Sequence, residues 1–181
     1  MVVVYVAQLV KFAEAVAGLR NLLDSPRYAE MNRVLLVMST QPGEGKSITS
    51  CSLAISNAQA RRKTLLVDFD LRRPRLAKVW DIKDLDKEHS FSHNLQSGKA
   101  CDFNELVRKT SVENLDVIVS LQPDGVDPAS IMGSDIVPDF FAWARENYER
   151  IIIDSPPFGV VGDVMTLANI VDGVIIMCCP D

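Results

Sequence analysis

Residues 34–47, VLLVMSTQPGEGKS, run from an unbroken apolar segment through a glycine-containing turn into a lysine and a serine. Val34 to Met38 is apolar at every position and bounded by polar residues, the pattern of a strand covered on both faces, as in the centre of a parallel sheet. Lys46 then opens a segment with helical spacing. A strand, a glycine turn and a helix start place backbone N–H groups and about half a positive charge at one point, where a phosphate is favoured. Gly43 and Gly45 let the backbone approach such a group, Lys46 can reach the outer phosphates, and Ser47 can hold magnesium. Pro42, Glu44 and Ile48 complete the expected nucleotide-binding loop. The pattern GxxxxGK[ST] is met except at its first glycine, where Thr40 stands.

A chain of 181 residues suits one domain burying roughly 70% of the surface its unfolded form exposes. Its hydrophobic fraction of 48% and charged fraction of 24% are those of globular proteins, and exclude disordered and fibrous classes. A net charge of −5 argues against nucleic acid as a partner. The four cysteines show no CxxC spacing, so neither a disulfide framework nor a zinc site is expected, and a reducing cytoplasm fits. The opening MVVVYVAQLV is well short of the ~20 apolar residues that span a bilayer. It reads as a buried strand or a segment lying on the domain.

Apolar residues at three- and four-residue spacing predict an amphipathic helix over Lys11 to Leu23. A second helix is expected from Lys46 to Ala60, with Ile48, Cys51, Ala54, Ile55 and Ala58 on its buried face. Further strands are expected at Thr64 to Val67, Leu115 to Val119, Ile151 to Asp154 and Gly173 to Met177. Helices are expected at Phe103 to Lys109, Asp135 to Tyr148 and about Val164 to Val171, with Pro138 tolerated in a first turn. Lys83 to Lys99 is polar and reads as loop with at most a short helix. Strands alternating with helices indicate parallel βαβ units.

Two acidic sites follow buried strands and would lie at the carboxyl edge of a parallel sheet, where such folds bind ligands. These are Asp68 with Asp70, and Asp154. At two-residue spacing in extended backbone, Asp68 and Asp70 can point to the same side. Strand ends are often acidic, but three carboxylates converging on one lysine–serine turn suit phosphoryl chemistry better than surface solvation.

Three stretches, STQPGEGKS at 39–47, LLVDFDLRRP at 65–74 and IIIDSPP at 151–157, resemble the three Walker motifs of the bacterial tyrosine autokinases that serve capsule and exopolysaccharide export. DPASIMG at 127–133 is similar to the segment before that family's last large helix. The resemblance implies an α/β fold, a three-layer P-loop fold with a mainly parallel central sheet flanked by helices. It also implies an autophosphorylating protein-tyrosine kinase using ATP and Mg2+. Lys46 would neutralise charge on the transferred group, and Ser47, Asp70 and Asp154 would hold magnesium directly or through water. Asp68 would be the candidate base, although the residues leave open whether Asp68 or Asp70 has that role.

The implied partner is a membrane polysaccharide co-polymerase or its cytoplasmic segment, and the implied location is cytoplasmic, at the inner face of the plasma membrane. Self-association is expected through the helix carrying Glu14 and Arg20, although Ala17 stands where the family has a further arginine. Residues 1–31 form an N-terminal segment and 32–181 a nucleotide-binding core. That core is expected to be truncated, because the family continues past the fifth strand into a tyrosine-rich tail. A switch ATPase of the chromosome-partitioning or Min type is the alternative, and it would carry a lysine where Gln41 stands. A non-catalytic nucleotide-binding module of an export complex is the other.

Overall fold

The computed structural model describes residues 2–3, 9–26, 28, 32–98, 101–123, 125, 130–131, 133–157, 167 and 169–178. Its elements in chain order are β1 (Val2–Val3), α1 (Leu9–Leu23), β2 (Val34–Ser39), α2 (Lys46–Gln59), β3 (Thr64–Asp68), α3 (Leu76–Val79) and α4 (Phe91–Ser97). A 3-10 turn (Phe103–Leu106), β4 (Val107–Lys109), β5 (Leu115–Ile118), α5 (Ile136–Asn147), β6 (Arg150–Asp154) and β7 (Gly173–Met177) follow.

The strands form one sheet in the order β1-β7-β2-β6-β3-β5-β4. All neighbours are parallel except β4, which runs antiparallel to β5. β2, β6 and β3 occupy the middle, so their strands are buried on both faces and read in the sequence as continuous apolar runs. Alternate residues supply opposite layers. Leu36, Val67 and Ile153 pack on one side with Phe91, Phe140 and Phe141. Leu35, Leu66 and Ile152 pack on the other with Val16, Leu19 and Leu53 of α1 and α2. Aromatic packing fixes the first layer: Phe69 lies edge-on to Phe91 at 5.0 Å and stacks on Phe141 at 5.9 Å.

Several expectations need correction. The spacing puts Ile48 on the buried face of α2, yet 64% of its surface is exposed, while Thr49, Ser50, Leu53 and Asn57 are buried. The helix is covered by the sheet and also by α1, whose Arg20 guanidinium donates to the Ser56 carbonyl at 3.2 Å, so its enclosed arc takes in polar positions that a hydrophobic stripe omits. Phe103 to Lys109 is not one helix. The Asp102 carboxylate accepts the Asn104 N–H and starts a 3-10 turn, after which Val107–Lys109 joins the sheet edge opposite Ile118. Val2–Val3 of the opening segment is a strand, one of its two expected readings, while β4 adds to the expected strands and α3 to the expected helices. Half of the expected helix from Val164 to Val171 and most of 127–133 lie outside the described residues.

The N-terminal segment is tied to the sheet by charge. Asp24 pairs with Arg150 at 2.8 Å and with Arg62 at 3.1 Å, and Arg150 is 1% exposed. Arg150 also donates to the Asn32 carbonyl.

Candidate active site

The loops following β2, β3 and β6 meet at the carboxyl edge of the sheet. After β2 the chain turns through Gly43 and Gly45, whose φ angles of 90° and 87° are strained for any residue with a Cβ. Within the turn, the Glu44 carboxylate accepts hydrogen bonds from Thr40 Oγ1 at 2.9 Å and from the Gln41 N–H at 2.8 Å. Thr40 and Glu44 therefore brace the loop from outside, which accounts for a threonine where the usual pattern has glycine. α2 begins without a side-chain cap, and a Cβ built on Gly43 or Gly45 would meet nothing within 4 Å. An open concave backbone at an uncapped helix start is a fit for phosphate. Lys46, the first helical residue, is 7% exposed.

Asp154 ends β6 and is 1% exposed. Its carboxylate accepts a hydrogen bond from Ser50 Oγ at 3.0 Å, and the Ser47 hydroxyl lies near enough to favour its charged form. Burial pushes its pKa up to about 6 against the lowering effects of those hydroxyls and Lys46. Asp68, beside it on β3, is fully buried. Its Oδ2 accepts the Arg75 and Leu76 N–H groups at 3.0 and 2.9 Å, and Oδ1 accepts the Asp70 N–H at 3.3 Å. Burial and then the adjacent Asp154 hold Asp68 well above the carboxylate range. Asp70 is half-buried; burial raises it, while the Arg73 N–H, Lys46, Arg75 and Arg73 oppose the rise.

A cleft of about 310 Å³ opens over this edge. Pro42, Gly43, Gly45, Lys46, Ser47 and Ile48 form one wall. Asp70 with Arg72, Arg73 and Arg75 forms another, and Pro156 and Pro157 complete the lining. Of the residues singled out in the sequence, Glu44, Asp68 and Asp154 do not line it. Glu44 shapes the loop, Asp154 lies beneath Ser47, and Asp68 anchors the segment that carries the arginines. Sequence reasoning missed Ser50. Its signal was present, since it stands four residues after Lys46 and so above it on one helix face.

No group of three His, Cys, Asp or Glu side chains among the described residues could hold a metal on its own. Magnesium does not require one, because it takes one or two carboxylates together with substrate phosphates. Ser47 and Asp154 fit that donor set.

The model of the AAA_31 family, described as an AAA domain, matches residues 32–180. CapB of Staphylococcus aureus is 31% identical over 91% of this chain and 70% of its own length. The chain belongs to the bacterial tyrosine-kinase family. Tyrosine-protein kinase CpsD of Streptococcus agalactiae serotype III is 34% identical over 81% of this chain and 61% of its own length. The kinase domain of the Escherichia coli tyrosine kinase ETK superposes with a TM-score of 0.81 at 26% identity, covering 93% of this chain and 64% of that one. The chain thus spans roughly two thirds of these kinase-family proteins: 61% of CpsD and 70% of CapB.

Within this family context, the expected self-association helix presents Glu14 to solvent, while Arg20 is engaged with Ser56 of its own chain. None of the helices among the described residues is long and apolar enough to cross a membrane.

Proposed function

We propose that the chain is the nucleotide-binding domain of an ATP-dependent protein-tyrosine kinase that autophosphorylates and serves capsular or exopolysaccharide export. The observation that carries this reading is one cleft in which Lys46 and Ser47, at an uncapped helix start, face Asp70 with Asp154 directly beneath. Lys46 meets charge on the transferred phosphoryl group, and the loop amides around Gly43 and Gly45 cradle the remaining phosphates. Ser47 and Asp154 would hold Mg2+, which would supply charge neutralisation for the nucleotide phosphates. Asp70 is the carboxylate with access to the cleft, and it takes the proton of the acceptor hydroxyl. A tyrosine oxygen then gains a bond to the γ-phosphorus as the bond to ADP breaks. Asp68, enclosed and accepting three backbone N–H groups, holds Asp70 and the arginine wall in place.

Tyr148 is buried and donates to Asp116 at 3.0 Å, which rules it out as an acceptor in the folded chain. A membrane polysaccharide co-polymerase, or its cytoplasmic segment, is the proposed partner, with the kinase at the inner face of the plasma membrane. The test is phosphotyrosine formation by the full-length protein with Mg2+ and ATP, alone and with that partner. Asp70→Asn is expected to retain Mg2+-dependent ADP binding while losing tyrosine phosphorylation by about 10²–10⁴-fold, the range of general-base contributions. Undiminished phosphorylation in that variant would move the base elsewhere.

A further inference from the structure

Ser50 is fully buried, lies outside the cleft lining, and touches it only through another residue. Its Oγ is 3.0 Å from the Lys46 carbonyl oxygen and 3.0 Å from Asp154 Oδ1. A serine hydroxyl carries one proton, so it donates fully to only one of these acceptors. The bond to the carbonyl four residues back is what a buried helical serine makes by default, and it needs no residue on β6. Donation to an ionised carboxylate is charge-assisted and roughly twice as strong. The hydroxyl therefore ties one oxygen of Asp154 to the helix that carries Lys46 and Ser47.

We infer that Ser50 is a positioning residue for magnesium: it fixes the rotation of the Asp154 carboxylate about β6, so that the ion held by Asp154 and Ser47 sits in register with the phosphate loop. Residues that orient a metal-binding carboxylate commonly change metal affinity by about 10–100-fold when removed. The inference rests on the magnesium assignment to Asp154 and Ser47 made under the proposed function.

The test measures ADP affinity of the full-length protein with and without Mg2+, for the wild type, Ser50→Ala and Ser50→Cys. The wild type is expected to bind ADP more tightly when Mg2+ is added. Ser50→Ala is expected to lose about tenfold or more of that gain while metal-free ADP affinity stays unchanged. Ser50→Cys fills nearly the same space with a weak donor, so it is expected to lose the gain as well. It carries the test alone if the alanine variant melts below the assay temperature. A full Mg2+ gain in Ser50→Ala, or its full restoration by Ser50→Cys, would overturn the inference, since packing rather than the hydroxyl would then be what matters. An absence of any Mg2+ gain in the wild type would instead overturn the magnesium assignment, and this inference with it.

Discussion

Asp154 is held in the folded chain under opposing demands, since a metal requires its charge and its surroundings resist it. Its folded pKa of about 6 lies above the reference value of 3.8, so the native state holds the proton more tightly than the unfolded chain. The stability this residue contributes is complete below the unfolded value and is lost as pH rises through about 6. Asp154→Asn is therefore expected to stabilise the nucleotide-free protein at pH 8 by about 2–3 kcal/mol, with a benefit that shrinks as pH falls toward 4. Thermal melts at the two pH values check it; equal effects at both would remove the burial argument. The same variant is expected to lose its Mg2+-dependent nucleotide affinity, and the wild-type affinity for Mg2+ to weaken as pH falls through about 6, because the ion must displace the proton from Asp154. That Lys46, Ser47, Asp70 and Asp154 stand at one edge of the sheet was legible, because each lies at the end of a strand or in the loop and helix start that follow one. The separate fates of Asp68 and Asp70 were not: β3 ends at Asp68, so the alternation of extended backbone does not carry through to Asp70.

The helices were legible in position more than in orientation. Apolar spacing placed α1, α2 and α5 to within a few residues, because each lays an apolar stripe on the sheet. It misassigned Ile48, since periodicity cannot tell where a helix ends its contact with a layer and begins to border an open cleft. Ile48→Ser is accordingly expected to change stability by less than about 0.5 kcal/mol. Leu53→Ala, which empties a fully buried site, is expected to cost about 2–5 kcal/mol. Urea unfolding of the two variants separates these cases, and a large loss in the first would place Ile48 in a covered interface. The strand β4 escaped notice because three residues at a sheet edge, with Arg108 and Lys109 among them, carry too little apolar pattern to separate from a turn.

At the scale of the molecule, one sheet with helices on both faces brings three loops to a single edge, and a charged clamp closes the layer beneath α1. Arg150 at 1% exposure depends on Asp24 for its partner, so Asp24→Ala leaves a buried charge unbalanced. A loss of about 3–5 kcal/mol is expected by chemical denaturation, and a loss under about 1 kcal/mol would show the pair to be solvated in practice. The parallel order itself was readable from the alternation of strands and helices. The place of β1 in that order was not, because its partner is distant in the chain: Val2 lies opposite Ile175.

The proposed transfer of phosphate to tyrosine in this cleft underlies every role given to its residues. The full-length protein and its Lys46→Met variant, incubated with γ-labelled ATP and Mg2+ in the presence of the proposed membrane partner, test it most directly. Labelled phosphotyrosine is expected in the first and none in the second. ATP turnover without phosphotyrosine, or phosphotyrosine that persists in Lys46→Met, would contradict it.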